Sequence, residues 1–316
     1  MYYFGIDLGG TNIAVGIVNE KLEIVRKGSV PTRAEREMDE VMKDMAALCK
    51  RLATEEGLSV SDFEYAGIAS PGTCDSENGV VIYSNNIVMH DYPIAAKLSE
   101  YLGIEKVYIN NDANAAALAE ALAGAARGAK DAIVITLGTG LGGGIIIDEK
   151  IYSGFNFAGA ELGHTVIEKD GVPCTCGRHG CWEAYSSATA LIRMTREKMI
   201  EAPESSMNKV NTLDHVSGKT AFAEARKGDK AAQEVVDKYI EYLGCGITNM
   251  INIFQPEVFC IGGGVCNEGE YLLAPLREYV RSQNYGRNSE KQTRIEKCEL
   301  GNDAGIIGAA VLGMSL

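Results

Sequence analysis

Apolar positions along the chain fall into a repeating plan of short strands and longer helices. Residues 2–6, 12–18 and 21–30 are dense in apolar side chains, separated by polar turns, and read as three strands. From residue 35 to about 56, Met38, Val41, Met42, Met45, Leu48, Cys49 and Leu52 recur at helical spacing, which predicts a helix with one face on a sheet. A fourth strand at 63–69 ends in a Ser-Pro-Gly-Thr turn, and a fifth at 106–110 gives way to an alanine-rich helix. A second cycle opens at 131–147, where a strand reaches a glycine and threonine turn and returns as a strand. Helices are predicted from about 183 to 200, near Ala221, and from 231 to 254, with a polar break at 203–219. The longest is apolar around much of its circumference, as a buried helix is. It leads to a strand ending in Gly262, Gly263 and Gly264; a strand at 294–300, a turn and a small-residue helix at 305–314 follow. Both halves therefore share one α/β plan, which looks like duplication.

A chain of 316 residues is expected to hold about two domains, each with its own core. No apolar run approaches the roughly 18 residues of a membrane span. The start has no basic region ahead of its apolar residues and meets Asp7 early, so it is not read as a secretory signal, and the expected compartment is the cytoplasm. A net charge of −13 with no dense basic cluster argues against a nucleic acid partner.

The densest chemistry lies between Glu161 and Glu183. His164, Cys174, Cys176 and Cys181 form the ligand set of a closed tetrahedral zinc site, with Gly177 and Gly180 allowing tight ligand loops. Disulfides fit poorly, because nine cysteines cannot all pair and Cys-Thr-Cys is a poor bridge geometry. Closing the metal site would draw Glu161 and Glu183 toward one place.

Elsewhere the candidates carry two readings each. Gly9, Gly10 and Thr11 leave amides open to a phosphate, with Asp7 placed to face magnesium through water; the alternative is a hairpin with a capping aspartate. Asp112 falls where a strand gives way to a helix, which suits either chemistry or an N-cap, a duty Asn111 and Asn114 could share. Asn85 and Asn86 lie in a polar turn, and Asn86 is taken as a ligand contact. Gly138, Gly140 and Gly143 match the dinucleotide spacing, but a strand follows them where that fingerprint needs a helix. Gly218, Lys219 and Thr220 imitate a P-loop, yet Leu213 occupies its upstream glycine position. Both matches are rejected. Gly262 to Gly264 would let a flat base or ribose lie against the backbone.

Five stretches then fall together: Asp-Leu-Gly-Gly-Thr from Asp7, Asn-Asp-Ala-Asn-Ala-Ala from Asn111, Leu-Gly-Thr-Gly-Leu-Gly-Gly-Gly from Leu137, Cys-Ile-Gly-Gly-Gly-Val from Cys260 and Asn-Asp-Ala-Gly-Ile-Ile-Gly-Ala from Asn302. They resemble the phosphate, connecting and adenosine motifs of the actin, heat-shock chaperone and sugar-kinase superfamily. The Glu161 to Glu183 stretch more narrowly resembles the ROK family of repressors, open reading frames and sugar kinases, and the likeness covers essentially the whole chain. It implies a two-lobed actin-like ATPase (ribonuclease H-like) fold, with residues 1–117 and 304–316 in a small lobe and 118–303 in a large one. It further implies a hexose kinase using ATP with Mg2+, most like the glucose-phosphorylating branch, with structural Zn2+. Asp112 would be the base that takes a proton from a sugar hydroxyl, while Asn111, Glu161, His164 and Glu183 hold other hydroxyls, joined by Asn86. Gly9, Gly10, Thr11, Gly138, Thr139 and Gly140 would cradle the phosphates, and Gly263 and Gly264 the adenosine. The family's repressors carry a helical DNA-binding extension ahead of the first strand; here the strand begins at residue 2, which disfavours that branch. The alternatives are an N-acetylglucosamine or N-acetylmannosamine kinase and a non-catalytic sugar-sensing regulator. A homodimer is also implied.

Overall fold

The computed structural model describes residues 1–85 and 87–314. Asn86, expected to contact a ligand, lies outside the described residues. In chain order the first elements are β1 (Tyr2–Leu8), β2 (Asn12–Asn19), β3 (Ile24–Pro31), α1 (Met38–Glu55), β4 (Phe63–Ser70), β5 (Thr73–Asp75), β6 (Val80–Ser84), β7 (Met89–Tyr92), α2 (Ile94–Leu102), β8 (Val107–Asn111) and α3 (Asp112–Ala123). They continue as β9 (Ala132–Leu137), β10 (Leu141–Ile147), β11 (Lys150–Ile151), α4 (Glu183–Ser186), α5 (Ala188–Glu201), α6 (Met207–Val210), α7 (Thr220–Ala225), α8 (Lys230–Phe254), β12 (Val258–Gly263), α9 (Glu270–Gln283), β13 (Arg294–Lys297) and α10 (Ala304–Val311). Among the described residues, no helix is long and apolar enough to cross a membrane.

The expected duplication is visible in strand order. One five-stranded sheet runs β3-β2-β1-β4-β8 and the other β11-β10-β9-β12-β13, so each places its hairpin on one side and its later strands on the other. This repeated plan is the actin-like ATPase arrangement of α/β structure. A third, three-stranded sheet, β5-β6-β7, is an addition that the alternation of apolar residues did not announce.

Burial follows position in the sheet. Central β1 is buried along nearly its whole length, whereas edge strand β3 alternates between half-buried and exposed residues. The predicted face of α1 is the buried one: Val41, Met42, Met45, Leu48, Cys49 and Leu52 share a core with Phe4, Ile6, Leu8 and Ile13. The methionines are packing residues there.

The opposite face is built differently, because α10 lies almost on the backbone of β1 and β4. A Cβ placed on Gly5 would stand 2.0 Å from the carbonyl oxygen of Ile306, and one on Gly67 would stand 1.8 Å from that of Ala309. Gly308 in turn lies against α3, where its Cβ would meet the Ala115 carbonyl oxygen at 2.0 Å. Only hydrogen fits at these three crossings.

Contacts divide the chain into two compact units, one of Met1–Val134, Gly144–Ala160 and Cys298–Leu316, the other of Ile135–Gly143 and Glu161–Lys297. Residues 118–134, 144–160 and 298–303, assigned from sequence to the large lobe, group with the first unit. The helix expected over 183–200 is two helices. Ser187 is extended (φ −72°, ψ 166°), and its side chain accepts the Ala190 N–H at 3.1 Å, so it stops α4 and caps α5.

The crossing of α10 over β4 gives a direct test. Gly67→Ala forces a methyl into a carbonyl oxygen that the sheet and helix both hold in place, and should destabilise the protein by about 3 kcal/mol or more in urea unfolding. A loss below about 1 kcal/mol would show that α10 shifts freely on the sheet.

Candidate functional site

Within the first unit the candidates gather at one edge of the sheet. β1, β4 and β8 run parallel, Asp7 is the penultimate residue of β1, and Asp112 directly follows the last residue of β8. Both carboxylates therefore stand at the carboxyl ends of parallel strands, where open α/β sheets place ligands.

The N-cap of α3 is the residue before Asp112. Asn111 is the N-cap of α3: its Oδ1 accepts the N–H groups of Ala113 at 2.9 Å and Asn114 at 3.3 Å, and its Nδ2 donates to the Gly72 carbonyl at 3.1 Å. Asn114 instead donates to Asn110 Oδ1 at 3.1 Å. Asp112 Oδ1 also accepts the Ala113 N–H, at 2.8 Å.

Electrostatics sets the two aspartates apart from ordinary surface acids. Burial, then the charge of Asp112, pushes Asp7 up to about 6. Burial also holds Asp112 above the usual carboxylate range, against the downward pull of its bonds to Ala113 and Asn111. Gly305 packs on Asp7, since a Cβ there would lie 2.4 Å from Oδ2. Nearby Cys74 is pushed up to about 12 by burial and by Asp112. The glycine turn after Asp7 is tied down from β3's end: Thr32 N–H donates to the Thr11 carbonyl at 2.8 Å and Thr32 Oγ1 to the Gly9 carbonyl at 2.5 Å. Gly9 N–H closes the turn on the Asn12 carbonyl at 3.0 Å.

The second unit repeats the device. The Gly138-Thr139-Gly140 turn closes with Gly138 N–H donating to the Gly140 carbonyl at 3.0 Å. Ala188 N–H binds the Gly138 carbonyl at 2.9 Å, and Thr189 Oγ1 binds the Thr139 carbonyl at 2.8 Å, both from the start of α5. Gly263 serves the strands rather than open space: its φ is +91°, and a Cβ would sit 2.2 Å from the Leu137 carbonyl oxygen. Gly264 and Gly138 meet nothing within 4 Å and leave open backbone.

The cysteine loop in this unit brings His164, Cys174, Cys176 and Cys181 together, with their ligand atoms all within 4.8 Å of one another. His164 Nδ1 lies 3.7 Å from Cys174 Sγ, and the sulfurs of Cys176 and Cys181 are 3.6 Å apart, well beyond disulfide bonding. Two glycines shape the loop. Gly177 (φ +86°) turns the chain back as its N–H meets the Cys174 carbonyl at 3.0 Å, and Gly180 (φ +76°) lies where a Cβ would strike the Glu168 carbonyl oxygen at 1.7 Å.

Glu183 stands beside both features. Trp182 is fully buried against Gly246 of α8, where a Cβ would meet the indole ring at 2.0 Å, and this fixes the start of α4. From there Glu183 Oε2 accepts Leu141 N–H at 2.9 Å, while Oε1 faces Thr175 Oγ1 at 3.3 Å and Cys174 Sγ at 3.7 Å. Glu161 is exposed ahead of the short helical turn Leu162–His164, and its carbonyl accepts the His164 N–H at 3.1 Å. Sequence reading missed Thr32, Thr189 and the Leu141 amide. Each acts through a contact distant in sequence and leaves no local signal.

Comparison with known proteins places this arrangement. The ROK family model matches residues 3–315. A glucokinase of Thermotoga maritima is 39% identical over 97% of this chain and 95% of its own, and one of Halalkalibacterium halodurans is 38% identical over 98% and 94%. Among solved structures, a ROK family glucokinase from Streptomyces griseus in complex with glucose and AMPPNP is 35% identical, with a TM-score of 0.81 over 99% of both chains. The chain belongs to the ROK family.

Proposed function

We propose that this protein transfers the terminal phosphoryl group of ATP to glucose, forming glucose 6-phosphate. The observation that carries the reading is the division of labour at the start of α3, where Asn111 caps the helix and Asp112 keeps a carboxylate available at the strand end. The likeness to glucokinases over nearly the whole chain supports the choice of sugar.

Phosphoryl transfer asks mainly for alignment and charge neutralisation. Asp112 accepts the proton of the attacking sugar hydroxyl. Its raised pKa suits that task, because a base of higher pKa holds the proton more firmly. Asn111, Glu161, His164 and Glu183 hold further hydroxyls, and the amides of Gly10, Thr11, Thr139 and Gly140 hold phosphate oxygens. Asp7 would hold magnesium through water, and the ion would neutralise phosphate charge. Two amide turns pinned by their carbonyls offer the fixed dipoles that such a transition state needs.

The His-Cys loop suits zinc. Metal–sulfur bonds of about 2.3 Å in a tetrahedron put ligand atoms about 3.8 Å apart, close to the separations of 3.6 and 3.7 Å found here. Four protein ligands would close the coordination shell, so the ion would serve to hold the loop that carries His164 and flanks Glu183. Nδ1 of His164 faces the cluster, which leaves Nε2 for the sugar. A homodimer acting in the cytoplasm completes the reading; light scattering on purified protein tests the dimer.

A coupled ADP-release assay over a panel of hexoses tests the activity, with glucose expected as the preferred substrate. Asp112→Asn should lower kcat by about 10² or more with a smaller change in sugar affinity; near-normal turnover would reduce Asp112 to a structural role. Cys176→Ser, or treatment with a chelator, should remove stoichiometric zinc and lower glucose turnover on the order of 10²-fold through displaced sugar contacts. Full activity in zinc-free protein would defeat the structural role of the metal.

Titration of Asp7 predicts a pH-dependent stability. Its folded pKa, about 6, lies above the unfolded value of 3.8, so its contribution is fully present below pH 3.8 and is lost as pH rises through 6. Without magnesium, Asp7→Asn should therefore raise Tm by roughly 2–4 °C at pH 8 and leave it unchanged at pH 4. Equal shifts at both pH values would place the effect elsewhere.

A further inference from the structure

Glu183 occupies the mouth of the second glycine turn. Its Oε2 takes the Leu141 N–H at 2.9 Å and lies only 2.4 Å from where a Cβ on Gly140 would stand, so the carboxylate covers the open side of that residue. The Thr175 hydroxyl, 3.3 Å from Oε1, holds it from the loop side. An anion thus sits on the Leu141 amide and against Gly140, at the turn that an incoming phosphate would use. Two negatively charged groups competing for one end of a turn repel each other, and a single N–H cannot serve both fully.

The backbone has little freedom to resolve the conflict. Its carbonyls are tied by Ala188 N–H at 2.9 Å and Thr189 Oγ1 at 2.8 Å, and Gly138 N–H closes the turn at 3.0 Å. Trp182, buried against Gly246, fixes the backbone from which Glu183 projects. The side-chain torsions of Glu183 are the freedom that remains. A carboxylate leaves an N–H donor readily only when other donors replace it, and the hydroxyl groups of a hexose are such donors.

We propose that Glu183 is a gate that makes the ATP site depend on sugar: without sugar its carboxylate closes the second phosphate turn, and on sugar binding it moves to the hydroxyls and frees Leu141 N–H and the face of Gly140. The inference rests on the kinase reading above and adds a regulation of that site. Its chemical benefit is that ATP is gripped in reactive geometry only when an acceptor other than water is present. Linkage makes the coupling reciprocal, so bound nucleotide strengthens sugar binding by the same factor.

The test is calorimetric titration of the magnesium complex of a non-hydrolysable ATP analogue into zinc-loaded wild type, Glu183→Gln and Glu183→Ala, each with and without saturating glucose. In wild type, glucose should tighten the analogue by about 10-fold or more. In Glu183→Ala the sugar-free affinity should approach the wild-type value with glucose, and ADP release without sugar should rise. Glu183→Gln keeps the shape without the charge and should fall between the two; it carries the test if the alanine variant does not fold. Folded variants that bind the analogue no more tightly than sugar-free wild type, in a protein whose wild type phosphorylates glucose, would overturn the gate alone. A wild type that phosphorylates no hexose would take down the kinase reading and the gate together.

Discussion

The first unit depends on how closely the backbone of α10 approaches the sheet beneath it. Hydrogen atoms at Gly5 and Gly67 are all that separate β1 and β4 from the carbonyl oxygens of Ile306 and Ala309, and Gly308 brings α3 equally close.

 Such contact leaves the helix no room to slide, so whatever α10 and α3 carry is held to fractions of an ångström. Asp7, under Gly305 at the start of α10, and Asp112, at the start of α3, are both placed by this packing. A carboxylate with a raised pKa is unfavourable for the fold, and a rigid frame is what holds both at the strand ends.

Much of the architecture was legible in the chain because it rests on periodicity. The α1 stripe, the glycine-threonine hairpins and the long α8 are each encoded within a window of residues, and they stand where the pattern put them. The break at Ser187 was not legible, since an extended cap between two helical segments leaves the apolar spacing almost intact. The sheet β5-β6-β7 was missed for a different reason: its strands are short and their partly exposed faces blur the alternation. The His-Cys cluster could be read because ligand chemistry is specified by residue type and spacing. The relation of Glu183 to Leu141 could not, because it joins a side chain to a backbone amide 42 residues away.

The two glycine turns solve one problem twice. Amides can attract phosphate only if the adjoining carbonyls do not repel it, and in each turn a threonine hydroxyl and a distant N–H engage those carbonyls. Thr32 and Thr189 come from unlike places, the end of a strand and the start of a helix, yet each engages a carbonyl of its turn. Polarity of the turn is thus set by what lies behind it. Substitutions made only at the glycines would leave that backing intact and undiagnosed.

The distance in sequence between the sheet and its covering helix has a consequence for the order of events in time. β1 begins at Tyr2 and α10 at Ala304, so a ribosome releases the sheet's strands long before the helix that covers their glycine face. Hairpin β1-β2 is local and can pair early, and β4 can join it, but the narrow channel above Gly5 and Gly67 stays uncovered while the intervening residues are made. Completion of the first unit is therefore a late, long-range event in biogenesis, and the nascent chain carries an unfinished core through most of its synthesis.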